Sequence, residues 1–143
     1  MIEGDRRLNP LCKPRGGYRH DVSAIVLDRD PDITPAQIPA RAGKLDRLKR
    51  AKELGNFTLP GYGANEQLVV PGTGPTFPLT DRRRVAILGF DALTKGFIHQ
   101  SQRIGQDQAG ACYGDSGGPS FLGSGSGETD VVVAVTSTGD GPC

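Results

Sequence analysis

Six residues toward the C-terminal end, Gly114-Asp115-Ser116-Gly117-Gly118-Pro119, restrict this chain more than any other stretch. Three glycines around one serine and one acid weaken any helix or strand that would contain them, because glycine loses more conformational freedom on folding than any other residue. Such a cluster suits a place where the backbone must take φ > 0 or let another group come close. One chemistry uses both properties. A serine hydroxyl is a weak nucleophile until a neighbouring base takes its proton, and the oxyanion formed by its attack needs preorganised N–H donors. The amides of Gly114 and Ser116 can supply those donors, and a side chain at 114 would crowd the approaching carbonyl. Two plainer readings compete. A β-turn uses Gly, Asp and Ser equally well. A phosphate-cradling loop would end in Gly-Lys-Ser/Thr and open an apolar helix, and neither follows here.

The rest of the chain favours strands. Val131-Val132-Val133-Ala134-Val135-Thr136-Ser137-Thr138-Gly139 is β-branched and follows a Gly/Ser-rich turn at 123–127, so residues 131–139 read as a strand. His20-Asp21-Val22-Ser23-Ala24-Ile25-Val26-Leu27 is a strand-like run headed by an acid. Residues 57–64 read as another strand running into a Gly-Tyr-Gly turn, 69–78 as turn-rich, and 83–90 as an alternating strand. Residues 28–42, with Pro31, Pro35 and Pro39, read as an extended linker. Leu45, Leu48, Ala51 and Leu54 share one helical face that Gly55 stops. There is no internal repeat.

Composition excludes several functions. A length of 143 residues, 36% of them apolar, predicts one domain with a modest core. Seventeen basic and 16 acidic residues leave a net charge of +1, which gives no global field to attract nucleic acid. The basic clusters at 44–52 and Arg82-Arg83-Arg84 are local, and Asp46 interrupts the first as on a solvated helix face. The first ten residues are charged and lack an apolar h-region, and nothing approaches the roughly 20 apolar residues that span a bilayer. Neither a signal peptide nor a membrane partner is therefore expected in this chain. Three Cys and two His lack Cys-x-x-Cys or His-x-x-x-His spacing, so no metal is expected, and no cofactor motif occurs.

Read together, Ala111-Cys112-Tyr113-Gly114-Asp115-Ser116-Gly117-Gly118-Pro119 resembles the nucleophile loop of the chymotrypsin/trypsin-like serine proteases, in their bacterial form. The resemblance implies an all-β fold of two antiparallel Greek-key barrels. Residues 1–30 would be the end of the first barrel, 31–55 the linker and a short helix, and 56–143 an incomplete second barrel. It implies Ser116 as nucleophile, Gly114 and Ser116 as oxyanion hole, and Asp21 as the acid that orients the catalytic histidine. Asp115 would pair with a freshly cut N-terminal amine on activation. Gly110 and Ala111 would lie at the floor of the primary specificity pocket, and Ser137, Thr138 and Gly139 would pair with an extended peptide substrate. Cys112 and Cys143 would form a disulfide, which closes a loop of about 30 residues and contributes roughly 3 to 4 kcal/mol on the chain-entropy model. Such a bond implies an oxidising compartment, hence a secreted or extracytoplasmic full-length protein. Cys12 would be left as a free thiol or paired outside the chain.

The order His, Asp, Ser demands a histidine well before Asp21, and none is there. His20 would point to the opposite face of a strand carrying Asp21. His99 would sit in a loop or short helical turn at 94–102. By the resemblance, the chain starts late in the first barrel and stops short of the closing strands of the second, so these residues alone are expected to hydrolyse peptides negligibly. An acid six residues before the nucleophile selects Arg or Lys in trypsin. Gly110 stands there, so small or apolar side chains are the expected preference. Two alternatives to a peptidase stay open: a catalytically dead homologue that binds a peptide in the same groove, and a structural β-domain.

Overall fold

The computed structural model describes residues 2–13 and 20–139, and the chain divides into two compact units, residues 1–36 and 37–143. The smaller unit is a ribbon of two antiparallel strands, β1 (Gly4–Leu8) and β2 (Ser23–Leu27), in register from Gly4 opposite Leu27 to Leu8 opposite Ser23. Every residue of both strands is exposed. The run headed by an acid is thus a strand only from Ser23 onward. Asp21 precedes it, and His20 is in the left-handed region at φ 63°, turning the chain as Val22 N–H donates to its carbonyl at 2.8 Å. Opposite-face geometry therefore does not describe His20 and Asp21, since neither is on a strand.

The larger unit is built on a five-stranded antiparallel sheet. Its strands are β3 (Asn56–Gly61), β4 (Arg84–Leu93), β5 (Ile98–Ser101), β6 (Pro119–Leu122) and β7 (Val132–Val135), in the spatial order β5-β4-β3-β6-β7. The central strand carries the core. Phe57 is fully buried, and Leu59 packs with Ala86 and Leu88 of β4. Pro60 has no N–H to give to a ladder, and the pairing of β3 with β6 is confined to Thr58 opposite Phe121, so the proline takes a donor from no strand bond there. Thr58 is buried at 3% exposure, and its hydroxyl lies 3.0 Å from both the Gly123 carbonyl and a Glu128 carboxylate oxygen. Removing this donor leaves the part-buried Gly123 carbonyl without it while nearly conserving volume. Thr58→Val is expected to cost about 1 kcal/mol, read as a lower midpoint in urea, and unchanged stability would contradict it.

The one α-helix among the described residues, α1 (Lys44–Ala51), ends earlier than leucine spacing predicts. Lys52 turns left-handed at φ 59°, and Glu53 N–H donates back to the Leu48 carbonyl at 2.9 Å, closing the helix before Leu54 and Gly55 are reached. The Pro-rich stretch is pinned to the larger unit's own chain at one point. Gln37 makes a parallel bridge to Val131, with Gln37 N–H to the Asp130 carbonyl and Val132 N–H to the Gln37 carbonyl, both at 2.8 Å. Residues 94–102 are not a loop or helical turn throughout: β5 takes four of the nine, Ile98–Ser101, paired with β4 across a bulge between Phe90 and Ala92. Residues 131–139 form a strand only as far as Val135.

Candidate active site

The glycine-rich segment lies between β5 and β6 and is tied down on both sides. Upstream, Ala109 N–H donates to the Ile87 carbonyl of β4 at 3.0 Å, and Ala111 packs against the Leu59, Ala86 and Leu88 cluster. Downstream, Gly117 N–H donates to the Thr136 carbonyl at 2.8 Å and Thr136 N–H to the Gly118 carbonyl at 2.9 Å, which fastens the loop to the chain leaving β7. Two of its glycines need their freedom: Gly114 has φ 99° and Gly117 φ 84°, values that cost an L side chain of the order of 1–3 kcal/mol. A Cβ at 114 would also come within 2.8 Å of Leu79 Cδ2 and 3.2 Å of Gly63 Cα.

Asp115 holds the turn from inside. Its carboxylate accepts Gly63 N–H at 2.8 Å through Oδ1 and Cys112 N–H at 2.9 Å through Oδ2, while its own N–H donates to the Cys112 carbonyl at 3.0 Å. The carboxylate sits so close to the Gly61-Tyr62-Gly63 segment that a Cβ on either glycine would collide with it. Both oxygens thus have main-chain donors, where the resemblance places an N-terminal amine. Tyr113 completes the connection, its carbonyl accepting Ala64 N–H at 2.9 Å and its ring 4.1 Å from that of Phe77.

The result is an alternation of occupied and unoccupied amides. Those of Asp115, Gly117 and Gly118 donate to carbonyls, whereas those of Gly114 and Ser116 have no acceptor among the described residues. Ser116 is exposed, and its hydroxyl makes no hydrogen bond to a described residue. Beside it opens a cavity of about 420 Å³, with apolar walls from Pro60, Tyr62, Pro119 and Phe121 and with Arg83 at its margin. An exposed hydroxyl flanked by two uncommitted amides can attack an acyl carbon and hold the oxyanion that results.

The other predicted residues are placed as follows. Gly110 lies directly under the side chain of Gln102. Ser137 is half-buried, and Thr138 and Gly139 are exposed in irregular chain beyond β7. The Cys112–Cys143 pairing lies outside the described residues because Cys143 is not among them, whereas Cys12 is a free thiol. Asp21 belongs to the smaller unit and Ser116 to the larger. His99 is exposed on β5, opposite Ala92, its ring 6.5 Å from that of Phe97, and no hydrogen bond joins it to Ser116. No group of His, Cys, Asp and Glu among the described residues could hold a metal ion. Sequence reasoning missed Gly61 and Gly63 as partners of Asp115, although two glycines around a tyrosine were a usable signal. Gln102 carried none.

An antiparallel β-unit presenting a serine on a glycine turn, between main-chain amides that have no acceptor among the described residues, has the features of a serine hydrolase of the protease type. The family model for trypsin matches residues 5–143, nearly the whole chain, and the chain belongs to the trypsin family. Its antiparallel strands and single helix accord with the trypsin-like β-barrel fold, and the family's chemistry is serine-protease proteolysis of peptide and protein substrates. Neither the curated proteins nor the solved structures provide a match.

Proposed function

We propose that this chain carries the nucleophile and oxyanion hole of a serine endopeptidase. Ser116 attacks the scissile carbonyl, and the N–H groups of Gly114 and Ser116 receive the negative charge on its oxygen. Asp115 acts on neither reactant; it holds the turn in which those amides stay uncommitted. In this chemistry a histidine serves as the base and then protonates the leaving amine, and Asp21 is the acid proposed to orient such a histidine. Neither His20 nor His99 is assigned that task, so this chain alone turns peptides over negligibly: loss of the base in an analogous protease costs on the order of 10⁶ in kcat. Retention of the Cys112–Cys143 bond calls for an oxidising compartment, and secretion belongs to the same proposal.

The observation that supports the reading is the pair of amides at 114 and 116 that have no acceptor among the described residues, with every amide between and just after them engaged. The apolar walls of the cavity beside Ser116 also suit one second reading, a groove that holds a peptide without cutting it. The test supplies the base from solution. Incubated with a fluorophosphonate and increasing imidazole, the chain is expected to gain one adduct that maps to Ser116, at a rate that rises with imidazole. Ser116→Ala is expected to gain none. An adduct on another residue, or none at any imidazole concentration, would remove the nucleophile assignment.

A further inference from the structure

We infer that Gln102 decides which substrate side chain is accepted next to the scissile bond, an inference that rests on the serine-protease reading of the Ser116 loop. In that chemistry the residue six before the nucleophile forms the floor of the specificity pocket, and its side chain selects the substrate residue. Gly110 has no side chain, yet its place is filled. A Cβ on Gly110 would run into Cδ, Oε1 and Nε2 of Gln102, so the carboxamide occupies the space where a floor side chain would begin.

Three observations make this carboxamide a reader of substrate and not a packing element. First, it is uncommitted. Gln100 Nε2 donates to the buried Ser120 hydroxyl at 2.6 Å, Gln108 accepts from the Ser101 hydroxyl at 2.6 Å, and Gln106 accepts from Gln108 at 3.3 Å, whereas Gln102 has no hydrogen-bond partner among the described residues. Second, it is reachable, since Gln102 is half-buried and is not among the sealed, unsatisfied side chains. Third, its support is firm. Gln102 follows directly on β5, and Gly110 is held between the Ala109 bond to β4 and the Cys112 bond to Asp115, in the same loop as Ser116.

A carboxamide offers two donors and one acceptor and carries no charge. Its complement is a neutral side chain with both a donor and an acceptor, which a second carboxamide matches best. The geometry therefore points to glutamine, then asparagine, as the preferred substrate residue before the cut. An aliphatic side chain would cover the amide without replacing its water, and sites built to hydrogen-bond reject such analogues. This preference differs from the small or apolar one that Gly110 alone suggests.

The test is equilibrium binding of fluorescent tetrapeptides that differ only in a C-terminal Gln, Leu, Glu or Arg, mimicking the acyl product. The native chain is expected to bind the Gln peptide about tenfold more tightly than the Leu peptide, the size of one good hydrogen bond. Gln102→Leu is expected to reverse that order. Gln102→Glu, nearly isosteric, is expected to bind the Arg peptide about tenfold better than the native chain does, a gain that misfolding cannot produce. If Ser116 still takes up the fluorophosphonate while all three proteins rank the peptides alike, or bind none, the Gln102 assignment is overturned alone. If Ser116 takes up no fluorophosphonate and no peptide binds, the protease reading beneath it is overturned as well.

Discussion

Asp115→Ala is expected to destabilise the larger unit by about 3 to 4 kcal/mol and to end fluorophosphonate capture at Ser116. Two part-buried amides, Gly63 N–H at 2.8 Å and Cys112 N–H at 2.9 Å, lose a charged acceptor together. Hydrogen bonds to a charged group are worth about 1.5 to 3 kcal/mol each, and the half-exposed position brings each toward the lower end. The effect on function follows from geometry. Without the carboxylate the turn loses its bonds to Gly63 and Cys112, and the Gly114 and Ser116 amides lose their fixed direction. Asp115→Asn separates the two contributions: it keeps one acceptor oxygen, sets an NH₂ against the other main-chain N–H, and is expected to fall between native and alanine. Urea unfolding followed by circular dichroism measures the first effect, and the adduct rate the second. Native stability and native labelling in Asp115→Ala would show that the turn stands without it.

Gly114→Val is expected to slow capture at Ser116 by about 10²- to 10³-fold, as removal of one oxyanion donor does in comparable sites. The φ of 99° is strained for any L side chain, and a β-branched one tolerates it least. The added atoms would also meet Leu79 Cδ2 at 2.8 Å and Gly63 Cα at 3.2 Å, and the second of these is main chain that cannot swing aside. Relief must come from rotation of the 114 peptide, which carries the amide away. Leu79→Ala in the same chain gives room but not φ, so it is expected to recover little of the rate. Full recovery would assign the loss to crowding and not to the backbone.

Elements whose character is local are legible in the order of residues alone. The β-branched run marks β7, the alternation at 83–90 marks β4, and the density of glycine marks the Ser116 turn because only main-chain geometry explains it. The strands β1, β5 and β6 are not legible in this way. Gly4-Asp5-Arg6-Arg7-Leu8 and Ile98-His99-Gln100-Ser101 show neither alternation nor β-branching, and they are extended because β2 and β4 supply ladders to join. Leucine spacing finds α1 but misplaces its end, which Lys52 sets through backbone conformation at a residue type that carries no stop signal. Within the site, Gly114 and Ser116 stand out in one short motif. The bond from Gly63 to Asp115 spans 52 residues, and the stacking of Gln102 on Gly110 depends on where β5 ends. Contacts of that kind arise from the sheet, and no neighbouring residue announces them.

The central claim is that the Gly114 and Ser116 amides are aimed at one point where an oxyanion can rest. It is tested most directly by the ¹H–¹⁵N spectrum of the chain before and after phosphonylation at Ser116. The amide protons of Gly114 and Ser116 are expected to move downfield together as they bond the phosphonyl oxygen, while that of Gly117, already held by the Thr136 carbonyl, stays in place. Modification of Ser116 that leaves both amides at their original shifts would contradict the account.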